Sequence, residues 1–352
     1  MPLIHDPDQV QDFYTRAARL ELCLANFCTS NPYTTEAIVR SSFEFARDHG
    51  TPPAPIMVSA TGHYPTEPQL PVYTGLNSAA LGMRALVDDL EMLLSEESPY
   101  CDVPVMLHLD HGQPGADEDL FEAAIGRYAT VMYDASALSL EDNFRATRTF
   151  VKRMRGRILV EGAVAEVGQA SALEVGEADE PLTTPEAAGR FLEETGVFLI
   201  VPDLGTEHRA TYAVAHYDGA RAREIAARVG VKMVLHGSSS LPDAVLGRLS
   251  SDGVAKVNVW TTFERIGGQA VARHVLAELG NMLPLSELET LREAGILGPK
   301  LFVAEYVSSH FGGAIGPKLS GLRETGRREV WSRAVVERMT FYLEHFGYAR
   351  WT

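Results

Sequence analysis

Val103-Pro-Val-Met-Leu-His-Leu-Asp-His-Gly112 decides how this chain is read. An apolar run of strand length breaks off at Asp110-His111-Gly112, so a carboxylate and an imidazole sit where a buried strand opens into a loop. In a barrel of parallel strands, that end is the mouth where active sites are built. Two later stretches have the same form. They are Phe198-Leu-Ile-Val-Pro-Asp-Leu-Gly-Thr-Glu-His208, and Val231-Lys-Met-Val-Leu-His236 ahead of Gly237-Ser-Ser-Ser240. Three apolar strands that each deliver a histidine at one end predict a catalytic metal site.

Strand-length apolar runs recur on both sides of these three. Leu20–Phe27, Ala54–Thr61, Ala129–Asp134, Arg157–Ala163 and Gly253–Trp260 complete a set of eight. Helical patterns separate them, at residues 6–18, 34–49, 78–94, 119–126, 139–156, 217–229, 241–250 and 262–279. Ser139-Leu-Glu-Asp142 has the spacing of a helix capping box, with Asp in the place of Glu or Gln. Thr184-Pro185-Glu186 is another helix start, since Pro is tolerated at the first helical position. Gly62–Gly75 is a loop rich in Pro and Tyr, and Glu166–Thr183 is acidic, rich in small residues and without periodicity. A stretch of that length and kind reads as a mobile, functional loop.

Strands alternating with helices predict a parallel sheet. Eight such units over about 260 residues fit an α/β fold of the (β/α)8 TIM-barrel type. A doubly wound open sheet is the alternative, but no G-x-G-x-x-G follows the first strand. We expect residues 1–280 to form a catalytic barrel. Residues 281–352 would be a helical extension packed on it, with turns at Phe311-Gly-Gly313 and Gly316-Pro-Lys318.

The 352 residues are 45% hydrophobic, enough for a large core, and carry a formal charge of −16. That charge argues against nucleic acid or an anionic membrane surface as a general partner, while a local site can still take an anionic small molecule. Cys23, Cys28 and Cys101 form no paired framework and no C-x-x-C, which fits a reducing cytoplasm. The N-terminus lacks the basic and apolar regions of a signal peptide. No run approaches the roughly 18 apolar residues of a membrane span. The expectation is a soluble, cytoplasmic protein.

Neutral imidazoles are good ligands for Zn²⁺, and a catalytic zinc commonly takes three protein ligands and keeps one position open. A lone buried histidine is more often a hydrogen-bonded core group, but His111, His208 and His236 at matching strand ends point to a metal. His108 alternates with Asp110 along its strand, so it should point into the barrel as a structural group. Asp110 would either orient a ligand or move a proton on the substrate. Asp134, Glu161 and Asp203 also lie near strand ends, where each could simply pair with a buried Lys or Arg. Gly237-Ser-Ser-Ser240 should open a helix, whose free N–H groups suit phosphate or merely accept a serine cap. Lys256-Val-Asn258-Val-Trp-Thr261 adds to the anion reading.

These residues carry a resemblance. His-Leu-Asp-His-Gly, Met-Tyr-Asp-Ala-Ser with a following Leu-Glu-Asp-Asn143, Gly-Thr-Glu-His, Leu-His-Gly-Ser-Ser-Ser and Lys-Val-Asn-Val-Trp-Thr occur in the order seen in another family. Over residues 20–280 the chain resembles the class II, metal-dependent fructose-bisphosphate and tagatose-bisphosphate aldolases. The resemblance implies Asp110 as catalytic acid/base, His111, His208 and His236 as ligands of Zn²⁺ or another divalent metal, and a homodimer or homotetramer. It implies a sugar or sugar-phosphate substrate against Gly237, Ser238, Ser239, Asn258 and Thr261, with Thr61, Asp134 and Arg209 beside them.

The sequence departs from the family at several places. The family's Val-Glu-x-Glu-Leu-Gly is stretched to Val160-Glu-Gly-Ala-Val-Ala-Glu166-Val-Gly168. Read with an insertion, Glu166 is an alternative metal ligand; read without one, the position is Ala163. The Gly-Gly-x-Glu-Asp that carries the donor-side base has no match between Gln169 and Glu180, and Glu174 and Glu177 are candidate replacements. The family's His-Gly is His208-Arg209, and its Asn-x-x-Thr-Asp is Asn258-Val-Trp260-Thr261-Thr262. The expected activity is aldol cleavage or formation in a ketose or ketose phosphate through a metal-stabilised enediolate, with a shifted substrate. The alternatives are a metal-dependent sugar isomerase or epimerase, and a sugar-binding barrel that has lost catalysis.

Overall fold

The computed structural model describes residues 3–164, 182–207, 217–298 and 317–352. Its core is a closed barrel of eight parallel strands: β1 (Leu24–Cys28), β2 (Ile56–Thr61), β3 (Val105–Gly112), β4 (Thr130–Tyr133), β5 (Leu159–Ala163), β6 (Leu199–Val201), β7 (Met233–Leu235) and β8 (Val254–Val259). Spatial order follows chain order, and β8 closes on β1 with Lys256 opposite Leu24 and Asn258 opposite Asn26. That pairing excludes the open doubly wound sheet. Every residue of β1, β2, β3, β4 and β8 is buried, as expected of parallel strands covered on both faces.

The helices between strands begin and end on local signals. In α2 (Pro32–His49) the Asn31 side chain accepts from Thr34 N, and Gly50 closes the end in the left-handed region at φ 64°. Thr184 caps α7 (Pro185–Thr195) by accepting from Ala187 N, and Ser139 caps α6 (Leu140–Met154) by accepting from Asp142 N. The Pro- and Tyr-rich loop after β2 contains a short helix, α3 (Gln69–Tyr73), before α4 (Ala79–Leu93).

One expectation is corrected. Gly237-Ser-Ser-Ser240 opens no full helix; Ser238–Ser240 make a single 3₁₀ turn, and the helix restarts only as α9 (Asp243–Leu246). Pro242 is the physical reason. The ring of a proline disfavours the helical region for the residue before it, and Leu241 is accordingly extended at φ −80°, ψ 137°.

Residues up to Thr262 and Val336–Thr352 form one compact unit, and Phe263–Val335 a second. In the first unit the C-terminal stretch ties to the barrel: the Tyr348 hydroxyl accepts from Ala25 N at 2.9 Å and donates to Pro55 O at 2.8 Å, and Cys23 N donates to Phe346 O. The second unit contains the helix Leu285–Glu293 and the short helix Leu319–Leu322. Among the described residues no helix is long and apolar enough to cross a membrane.

Candidate metal centre

In a regular strand, successive side chains face opposite sides, so Asp110 and His111 should not share a face. They do. The register of β3 against β4 shifts between Leu109 and Gly112, and His111 takes a left-handed φ of 46°. A bulge of this kind re-aims a side chain, and a non-glycine residue held in that region stores about 1–3 kcal/mol. Ligating atoms of Asp110, His111 and His236 consequently lie within 4.8 Å of one another, all buried.

Several contacts hold His111 there. Its Nδ1 lies 2.7 Å from Asp134 Oδ2, its carbonyl accepts from Gln113 Nε2 at 2.8 Å, and Tyr64 stacks on its ring at 4.4 Å. Asp134 itself is fixed by Ser136, whose hydroxyl donates to Oδ1 at 2.6 Å. Gly112 completes the bulge, since a Cβ there would sit 2.4 Å from the Phe121 ring and 2.9 Å from Met132 O. Gly112→Ala is therefore expected to destabilise the fold by about 1–3 kcal/mol through overpacking. A thermal melt beside the wild type checks this; an unchanged midpoint would show that the bulge does not need the glycine.

His236 follows β7 directly. Its Nδ1 lies 3.1 Å from His111 Nε2, its Nε2 lies 3.1 Å from Asn258 Nδ2, and its carbonyl accepts from Thr206 Oγ1. One proton arrangement satisfies the line: Asn258 donates to His236 Nε2, His236 Nδ1–H to His111 Nε2, and His111 Nδ1–H to Asp134. Asn258 Nδ2 also lies 3.1 Å from Asp110 Oδ1. The Cys28 thiol is 3.7 Å from Asp110 Oδ2 and itself accepts from Ser59 Oγ at 3.0 Å.

The charges follow from these neighbours. Burial by itself pushes the Asp110 carboxyl up, but His111, His108 and His236 together hold it well below the usual carboxylate range. Burial lowers His111, and Asp110 and Asp134 more than offset this, so its net shift is upward. Asp134, raised by burial and lowered more strongly by the His111 hydrogen bond, comes down to about 2.

The residues present fit a divalent metal. His111 Nε2 and His236 Nδ1 face each other across 3.1 Å and share one proton. With that proton on His236 Nε2 instead, the two facing nitrogens offer lone pairs that converge beside the Asp110 carboxylate. A carboxylate on the far nitrogen of a ligating histidine, as Asp134 is on His111, fixes tautomer and ring orientation at metal sites.

The rest of the expected set divides. Thr61, Gly237, Ser238, Ser239 and Thr261 line the same cleft as the Asp110 cluster. Gly237 has φ 67°, and a Cβ there would stand 2.8 Å from Glu207 N, so only glycine lets the β6 loop approach this closely. Two of the hydroxyls are already engaged: Ser238 donates to Asn258 O, and Thr61 donates to Glu67 O while accepting from Gln69 N. Glu166, His208 and Arg209, with Glu174 and Glu177, lie outside the described residues. β6 itself ends at Val201.

Asp134 meets His111 rather than a Lys or Arg among the described residues, whereas Glu161 does pair with Lys256, at 2.7 Å. Asp203 closes a local turn by accepting from Gly205 N. The cleft also contains Tyr64, Glu67, Gln69, Trp260 and Cys28. Of these, Cys28 had a sequence signal in its place just past a strand end, and Trp260 in the motif that follows Lys256. Tyr64, Glu67 and Gln69 come from a loop whose path no periodicity encodes.

A closed parallel barrel with a carboxylate and imidazoles converging at the C-terminal ends of its strands is a TIM-barrel protein with a candidate metal centre. The chain belongs to the class-II fructose-bisphosphate aldolase family, whose sequence model matches residues 8–295. It is 29% identical over 196 residues to YdjI of Escherichia coli K12, covering 55% of this chain and 69% of that protein. It is 33% identical over 196 residues to the fructose-bisphosphate aldolase of Thermus caldophilus, covering 53% and 61%. In fold it is similar to the crystal structure of the YdjI aldolase, with TM-score 0.62 at 19% identity over 99% and 98% of the two chains.

Proposed function

We propose that the protein is a metal-dependent aldolase or retro-aldolase that makes or breaks a C–C bond in a ketose or ketose phosphate. The observation that carries this reading is the convergence of Asp110, His111 and His236 at one barrel mouth, in a chain of the class-II aldolase family. His111 and His236 would hold Zn²⁺ or another divalent ion, with His208 and Glu166 as further candidate ligands. When bound, the ion supplies Lewis acidity toward a carbonyl. Asp110 works on the acceptor oxygen. In cleavage, its ionised carboxylate takes the proton of the hydroxyl that becomes the aldehyde, and it returns that proton in the condensation direction. Asn258 holds the carboxylate through its amide, and Asp134 keeps His111 in the tautomer that leaves Nε2 to the metal. Thr61, Gly237, Ser238, Ser239, Thr261 and Arg209 are the proposed substrate contacts. A homodimer or homotetramer in the cytoplasm, acting on a small molecule rather than on nucleic acid or membrane, completes the proposal.

The substrate should differ from that of the glycolytic enzyme. Arg209 stands where the family has a glycine, whose value lies in close backbone approach. A guanidinium pairs bidentately with a carboxylate or phosphate. Weak or no cleavage of fructose 1,6-bisphosphate is expected, with better turnover of a ketose that presents an anionic or polar group to Arg209. Kinetics on fructose bisphosphate, tagatose bisphosphate and non-phosphorylated ketoses, with Arg209→Gly as control, decide this. Efficient cleavage of fructose bisphosphate by the natural chain would overturn the shift. Product analysis with labelled ketoses separates cleavage from isomerisation or epimerisation.

A further inference from the structure

Below the mouth, the barrel interior contains a line of polar groups that the proposed reaction does not use. Lys256 Nζ on β8 donates to both oxygens of Glu161 on β5 at 2.7 Å, and both side chains are 0% exposed. His108 on β3 comes next. Its Nε2 is 3.5 Å from Asp110 Oδ1 and 3.7 Å from Glu161 Oε2, and its Nδ1 is 2.7 Å from Thr130 Oγ1. The Nε2 atom is buried with no close hydrogen-bond partner of its own.

This geometry constrains the ring. A nitrogen lone pair facing two carboxylates would be repelled by both, so Nε2 carries the proton and the Thr130 hydroxyl donates to Nδ1. Without Lys256, Glu161 would be an uncompensated buried carboxylate and would draw the N–H to itself. With Lys256 in place, the N–H stays between the two carboxylates, 3.5 Å from Asp110 Oδ1 and 3.7 Å from Glu161 Oε2. Stability is a poor explanation for the line, because a buried ion pair is often no better than apolar side chains of the same volume.

We propose that His108 is a positioning residue for Asp110, its Nε2–H and the Asn258 amide together fixing the Asp110 carboxylate from two sides. The Lys256–Glu161 pair holds that N–H in place. The inference rests on the reading of Asp110 as the proton-transfer group.

The test compares zinc-loaded His108→Leu, His108→Gln and Thr130→Val with the wild type, by kinetics on the ketose it cleaves best, by zinc content and by crystal structure. A displacement of about 1 Å at a reacting group can cost about a hundredfold, so His108→Leu is expected to lose tenfold or more in kcat. KM should stay within about twofold, the pattern of an interaction made in the transition state, and zinc content should not change. A glutamine amide places an N–H close to where the imidazole has it, so His108→Gln should recover most of the loss. In the crystals the Asp110 carboxylate should leave Asn258 in the Leu variant and keep its place in the Gln variant. Wild-type kcat in His108→Leu, a Gln variant no better than Leu, or an unmoved carboxylate in His108→Leu would each overturn the proposal. Should the wild type cleave no ketose, the functional reading fails, and the carboxylate position still decides this inference. Should His108→Leu not fold, the Gln and Thr130→Val variants decide it, with a smaller loss in kcat expected for Thr130→Val and an undisturbed kcat counting against.

Discussion

Asp110→Asn is expected to lower turnover by about a hundredfold or more, the range for loss of a positioned acid/base, while the protein still loads its metal. The asparagine oxygen can accept from Asn258 Nδ2 as Oδ1 does now at 3.1 Å, so the local geometry survives and only the capacity to take a proton is lost. The two imidazoles that face each other across 3.1 Å are untouched. Zinc content and kcat, measured on the same preparation, separate the outcomes. A variant that loses its metal, yet regains wild-type turnover when saturated with zinc, would make Asp110 an orienting or ligating group. Its place in the cluster with His111 and His236 makes that a real alternative.

Loss of the metal is expected to have a still larger effect. Chelation should abolish activity, and Zn²⁺ or another divalent ion should restore it. His236→Ala should lower metal affinity by more than about a hundredfold, since removal of a mere hydrogen-bond partner of a ligand already costs about 10–100-fold. It would also leave His111 Nε2 and Asn258 Nδ2 without their common neighbour. His208→Ala serves as the parallel test, because the resemblance alone makes that residue the third imidazole. Titration of the metal-free proteins with zinc checks all of this. Full activity in metal-free wild type, or unchanged zinc affinity in His208→Ala, would remove the metal reading or its third ligand respectively.

The amino-acid sequence by itself determined the alternation of strands and helices, because burial on both faces of a parallel strand leaves continuous apolar runs such as Val103–Leu109. It also determined the helix starts at Ser139 and Thr184, where capping is a matter of neighbours three residues apart. It pointed to Asp110, His111, His208 and His236, since three apolar runs that each end in a histidine are hard to explain as separate core groups. Tertiary structure decided what depends on partners distant in the chain. Closure of β8 onto β1, rather than an open sheet, is a pairing of residues more than two hundred positions apart. Strand periodicity would have sent Asp110 and His111 to opposite faces; the bulge against β4 and the left-handed backbone of His111 brought them together. The carboxylates behaved differently for the same reason. Asp134 took His111 and Glu161 took Lys256, because the partner of a buried charge is chosen by which side chains the closed barrel brings together, from neighbouring strands or across its interior, and no local spacing encodes that.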